Sequence, residues 1–338
     1  MKKILNRFNL LLPLLLLVQL NALAQDDDDK DNKDNKDKKY EFAKSKSVNK
    51  FYNVSSSDRL NIENSFGRVE VHTWDRNEIK VDVSVEVSAT TNEVAQRIID
   101  GITVSDAQSG KDISFKTSFK NDNNNSGRNE KSTMKINYSI SMPATNPLHI
   151  ENSFGATVLP DYRGEVSLAS KFGSLTAGNL SNVKKLEVEF GKANVESVNN
   201  GSLSIKYSRS TLGKMSGDIK MNIEFSTAVR MNLDNSLTGL DIKASYSTVN
   251  LKPDGGLSAN YSISTSFGNL KNNTSIKFDG DNDDDDKGPK FDHHYSGKSG
   301  GGSVPIKVNT SFGNVILGEP GPDDMKEKNK NKNKNKTA

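Results

Sequence analysis

Histidines are the first residues to weigh for chemistry, because imidazole titrates near neutrality. This chain of 338 residues has four of them. His72 lies in Val69-Glu-Val-His-Thr-Trp-Asp-Arg76, beside Trp74, Asp75 and Arg76. An acid–base role there competes with a polar cluster that closes the end of a strand. His149 precedes an apolar Ile150 and should face outward. His293 and His294 sit in a polar stretch, 279–302, rich in aspartate and glycine. Such carboxylates and imidazoles could hold a divalent ion, but their order fits no calcium loop. The stretch reads as a disordered acidic loop. There is no cysteine, so thiolate nucleophiles, cysteine-based zinc sites and disulfides are excluded. No nucleophile elbow, phosphate loop, HExxH or dinucleotide fingerprint is present. The expectation is no catalytic residue, no metal and no cofactor.

Acidic pairs set across neighbouring coils would be the remaining route to catalysis, on a polysaccharide. Lys171, Glu189, Lys206 and Glu224 occupy equivalent positions in successive segments and alternate in sign. That order suits a salt-bridged ladder better than a catalytic pair. Asp75 and Glu189 are the residues on which an enzymatic alternative would rest.

The equivalence comes from a repeat. An aromatic residue followed by Gly or Ser recurs at Phe66, Phe154, Phe172, Phe190, Tyr207, Phe225, Tyr246, Phe267 and Phe312. From Phe154 the steps are 18, 18, 17, 18, 21, 21 and 45 residues. Without the polar stretch 279–302 the last step is also 21. Four residues before each aromatic the chain is always apolar, from Ile62 and Ile150 to Ile263 and Val308. The residue two before it is small, amide or apolar, and the pattern resumes three and five residues after it, broken at Arg230 and Asn272. Alternation therefore has period two and shifts by one residue at the aromatic–Gly step. Such a shift marks a bulge or corner, which glycine tolerates.

Each unit is thus two short strands joined by a bend. The expected fold is all-β: a parallel β-solenoid of about nine coils of 17–21 residues, with the nine aromatics stacked in its dry interior. A two-sheet sandwich with hairpins at similar spacing is the alternative.

The 88-residue step from Phe66 to Phe154 holds additional structure. Ile79 to Val87 alternates strictly, as a half-buried strand does. Thr90 and Glu93 have capping-box spacing ahead of Val94, Ile98, Ile99 and Ile102. Strands follow at about 112–119 and 133–142. Residues 75–146 read as a small α+β insertion of three strands and a helix, capping the N-terminal end of the column.

Residues 1–24 read as a signal peptide: Lys2, Lys3 and Arg7, an apolar run from Leu10, then Ala22-Leu-Ala24. A single membrane anchor is the alternative, but the run is short and interrupted. Residues 25–47 read as a disordered charged spacer, 48–318 as the solenoid and 319–338 as a disordered basic tail. The chain carries +3 in all, with +3 in the signal, −2 in 26–39 and +5 in 326–338. The remaining body is therefore acidic, which argues against a nucleic-acid partner. No transmembrane segment is expected in the mature chain.

The segment Leu60 to Ile102, LNIENSFGRVEVHTWDRNEIKVDVSVEVSATTNEVAQRIIDGI, and the later NSFG, SKFG and TSFG units resemble a family of exported bacterial adhesin-like proteins. That family is related to the head-GIN type of autotransporter adhesin domain, and the resemblance covers about 51–318. It implies an envelope or surface β-solenoid with no known catalytic residues and no established function. Three functional readings follow: a non-enzymatic exported scaffold that binds a glycan, matrix or envelope protein; a periplasmic envelope-stress or regulatory binding protein; and a carbohydrate-active enzyme. Each places the protein in the periplasm or at the cell surface.

Overall fold

The computed structural model describes residues 40–120, 130–226, 228–280 and 291–321. The signal segment, most of the spacer, the acids 281–290 and all but the first residues of the tail lie outside the described residues.

The described residues start with β1 (Phe42–Asn53), β2 (Arg59–Ser65), β3 (Val69–Thr73) and β4 (Glu78–Ala89). The helix α1 (Asn92–Gly101) leads into β5 (Ile102–Ser109), β6 (Asp112–Phe119) and β7 (Ser132–Met142). Repeating units then supply β8 (Leu148–Ser153), β9 (Ala156–Leu159), β10 (Val166–Lys171), β11 (Ser174–Leu180) and β12 (Val183–Glu189). Three long strands follow: β13 (Lys192–Lys206), β14 (Arg209–Glu224) and β15 (Ala228–Ser245). The rest are β16 (Val249–Pro253), β17 (Ala259–Ser266), β18 (Leu270–Asn272), β19 (Phe278–Gly280), β20 (Asp292–Ser299), β21 (Val304–Ser311) and β22 (Val315–Leu317).

These strands form one large mixed sheet, nearly closed and barrel-shaped. The expectation of a purely parallel array is corrected. Its middle is parallel and its ends are antiparallel. One parallel row runs β6–β2–β8–β10–β12, then through the second halves of β13, β14 and β15, to β21 and β17. A second row runs β7–β3–β9–β11, then through the first halves of the long strands, to β16, β22 and β18. At one end β5 lies antiparallel on β6, and β4 and β1 continue antiparallel from β7. At the other, β20 lies antiparallel on β17 and is followed by β19.

The core follows the repeat. All nine apolar residues four before the aromatics are buried, and so are all nine residues two before them. Of its buried polar members, Asn64, Asn152 and Thr265 find partners, whereas the Ser170 and Thr310 hydroxyls have none. Asn64 Nδ2 donates to Asn152 Oδ1 at 3.1 Å, and Asn152 Nδ2 donates to the Gly67 and Ala156 carbonyls at 3.1 and 3.2 Å. Arg230 does not break the inward pattern. Arg209 pairs with Ala228 and Leu212 with Met231, so this unit has one extra residue after its corner and Met231 takes the inward place.

Two sequence expectations change here. Phe42–Ser47, assigned to a disordered spacer, belong to β1, and residues 279–280 and 292–299 of the supposed acidic loop belong to β19 and β20. Both stretches lack strong apolar alternation, so neighbouring strands decide their conformation. The insertion holds four strands rather than three, because β5 was hidden in a polar sequence. Its helix is capped by Thr91, whose side chain accepts from Val94 N at 3.3 Å. Lys46 Nζ donates to the carbonyls of Ile99 and Ile102 at its other end, at 2.7 and 2.5 Å.

Candidate binding surface

The nine repeat aromatics do meet, but on the outside. They are 37–54% exposed, which corrects their placement in a dry interior. The physical reason lies in the backbone. Each aromatic has φ between 49° and 65°, the left-handed region that L-residues other than glycine seldom occupy. Parity alone would continue the inward series from the residues four and two before. The left-handed corner turns the side chain to the other face.

Hydrogen bonds hold the corners in line. Phe154 N donates to Lys171 O, Phe172 N to Glu189 O and Tyr207 N to Glu224 O, each at 2.9 Å. The following glycine is required by close approach: a Cβ on Gly173 would stand 2.0 Å from Gly155 O. Where serine replaces it, the hydroxyl joins the ladder. Gly191 N donates to Ser208 Oγ at 3.0 Å, and Ser226 N to Ser247 Oγ at 3.0 Å.

The rings then stack along the column. Their centroids are 4.6–5.1 Å apart and their planes differ by 1–7°. That spacing is the distance between neighbouring strands. The order in space is Phe66, Phe154, Phe172, Phe190, Tyr207, Phe225, Tyr246, Phe312, Phe267. The last unit of the chain is thus inserted between the two before it. Two rings outside the repeat finish the row. Phe291 stacks on Phe267 at 4.9 Å, and Phe119 meets Phe66 edge-on at 5.5 Å. Thr117-Ser118-Phe119 echoes Thr265-Ser266-Phe267 and could have shown the first; nothing in the sequence around Phe291 shows the second.

Holding a bulky residue in the left-handed region costs about 1–3 kcal/mol. Each stacked pair contributes about 0.5–1.5 kcal/mol beyond burial. Because each pair is shared by two rings, stacking offsets only about half of that strain, and the packing and hydrogen bonds around the corners must supply the rest.

Charged residues flank the row. Lys171 pairs with Glu189 at 3.8 Å and Lys206 with Glu224 at 3.1 Å, on the side preceding the rings. The hydrogen bond from Asn222, then that from Lys206, holds the Glu224 carboxyl below its ordinary range. The row two residues after the rings contains Arg68, Lys192 and Arg209 and no acid. In it Lys192 and Arg209 are direct neighbours in register. A hollow beside the rings is lined by Phe190, Gly191, Tyr207, Ser208, Arg209 and Phe225.

The histidines form no shared site. His72 is exposed, and near it Trp74 Nε1 donates to Glu78 O at 2.8 Å while the Arg76 guanidinium lies 5.0 Å above the indole ring. His149 Nε2 lies 3.2 Å from Glu151 Oε1 on the outer face. His294 Nδ1 lies 3.0 Å from Ser264 Oγ. Among the described residues no three histidine, aspartate or glutamate side chains gather as a metal site. Asp75 follows β3 and Glu189 ends β12, in different rows, so the pair named for catalysis is not brought together. No helix among the described residues is long and apolar enough to cross a membrane.

No protein-family profile matches the chain. No curated protein matches it in sequence. Three solved structures are similar. A "putative cell adhesion protein" of Clostridium sporogenes is 12% identical, with 81% of this chain and 99% of that one covered and a TM-score of 0.26. A "putative adhesin" of Bacteroides fragilis is 12% identical over 80% of this chain and 97% of its own, with a TM-score of 0.36. A "putative lipid binding protein" of Parabacteroides distasonis is 11% identical over 82% and 98%, with a TM-score of 0.36.

Proposed function

We propose that this chain is a non-enzymatic, exported binding scaffold of β-solenoid build, adhesin-like in role. In this reading residues 1–24 direct export, and the two parallel rows wind as one column closed by antiparallel strands at both ends. The observation that carries the reading is the continuous, half-exposed row of stacked rings, held at left-handed corners. The largest exposed apolar patch of a soluble domain, typically about 300–600 Å², is often functional. A row maintained against backbone strain is a stronger signal than scattered exposed residues.

The test is binding of the purified chain to glycans, matrix proteins and envelope components, together with protease shaving of intact cells. Saturable binding to one class, weakened when Phe190 and Tyr207 are replaced, supports the scaffold. Shaving then separates a surface target from a periplasmic partner. Turnover of a polysaccharide that is lost in Glu189→Gln would contradict it.

A further inference from the structure

The stacked rings cover one another's faces, so what they offer to solvent is a row of edges. A ring edge carries the positive end of the aromatic quadrupole and the face the negative end. Sugar C–H groups, which seek ring faces, find none free along the stack. A flat aromatic molecule laid over the row would instead put its negative face on several positive edges at once. Neighbouring centroids 4.6 Å apart at Phe190–Tyr207 and 5.0 Å at Tyr207–Phe225 let one elongated ligand touch three rings in this T-shaped manner.

Charge narrows the class. The hollow beside Phe190, Tyr207 and Phe225 includes Arg209, and Lys192 is its in-register neighbour. Lys192 and Arg209 side by side make this flank of the rings positive, which suits an anionic group.

A second copy of the chain is the competing occupant, and the geometry disfavours it. A stripe on the order of 40 Å long and one side chain wide offers about 400 Å² per partner, half of what a stable interface buries. Ring edges facing ring edges would also oppose like ends of the quadrupole.

We propose that this hollow binds an elongated, planar, conjugated aromatic anion, lying along the ring row with its acid group on Arg209 and Lys192. The proposal rests on the scaffold reading above and specifies the chemistry of its surface.

The full chain is titrated with Congo red, a planar disulfonated dye, and with thioflavin T, a planar cation. Congo red binds saturably with induced circular dichroism, and thioflavin T binds at least about tenfold more weakly. Arg209→Gln with Lys192→Gln brings the two dyes within about threefold of each other. Tyr207→Gly, which suits the left-handed backbone, lowers Congo red affinity about tenfold. If that variant does not melt cooperatively, Tyr207→Leu serves, keeping bulk without a ring quadrupole. Absence of Congo red binding, equal binding of both dyes by the parent chain, or binding unmoved by both the Tyr207 and the cation substitutions overturns the proposal. Dye failure alongside retained binding to a glycan or protein target overturns this inference alone and leaves the scaffold reading intact.

Discussion

Phe190 and Leu186 lie four residues apart and do opposite things. Leu186 is fully buried, whereas Phe190 is 45% exposed between two stacked neighbours. Leu186→Ala should cost about 2–5 kcal/mol, as buried leucines do. Phe190→Ala should cost less, about 1–3 kcal/mol, the loss of two stacking contacts. Phe190→Gly should be no worse than Phe190→Ala, because glycine relieves the left-handed backbone. Denaturant melts of the three variants check this order. A Phe190→Ala loss as large as that of Leu186→Ala would return the ring to the core. A second prediction concerns Tyr138, buried and hydrogen-bonded to Thr117 at 2.8 Å. Burial pushes its hydroxyl up to about 12, against the lowering effect of Thr117. The folded state then keeps a proton that the unfolded chain releases near pH 10. The resulting stability is present below pH 10 and is lost as pH rises toward 12, up to about 2–3 kcal/mol. Tyr138→Phe should make the decline across that window shallower by this one contribution, with the raised hydroxyls of Tyr52, Tyr162 and Tyr261 supplying the rest, measured by urea melts between pH 9 and 12. The carboxyl of Glu70, held down first by its hydrogen bond from Arg68, acts in the opposite sense and loses its contribution as pH falls through the acidic range.

At the scale of elements, the repeat was legible because each unit buries the same side-chain pattern on the unit beside it. Ile62, Ile150, Leu168 and Leu186 stand in one row for that reason. The outward turn of the aromatics was not legible. Parity counts assume extended backbone, and a single residue at positive φ reverses the face without changing the count. Nor could spacing reveal that β21 enters between β15 and β17, since a neighbour in sequence and a neighbour in space give the same period. This order has a direct test in a chain without cysteine. Ser245 and Ser311 are in-register partners, as are Ser311 and Ser266. Ser245→Cys with Ser311→Cys should form a disulfide under mild oxidation, because adjacent strands lie within disulfide reach. Ser245→Cys with Ser266→Cys should not, with a strand between them. Mass spectrometry of non-reduced peptides distinguishes the two, and the reverse result would restore sequence order.

For the molecule as a whole, the antiparallel strands at each end explain why a sheet with this much parallel pairing need not add further chains. β1, β4 and β5 cover one end, and β19 with β20 the other. The β1 edge carries Lys44, Lys46 and Lys50, a device that discourages edge pairing. The surface proposed for a partner is the flank of the sheet, where the ring row runs beside Lys192 and Arg209. That placement depends on the rings facing water. Hydroxyl-radical footprinting of the intact protein, read by mass spectrometry, measures it directly. Phe154, Phe172, Phe190, Tyr207, Phe225 and Tyr246 should oxidise at rates close to that of exposed Phe51, while Tyr162 and Phe115 stay protected until unfolding. Protection of the six repeat rings equal to that of Tyr162 would contradict the account.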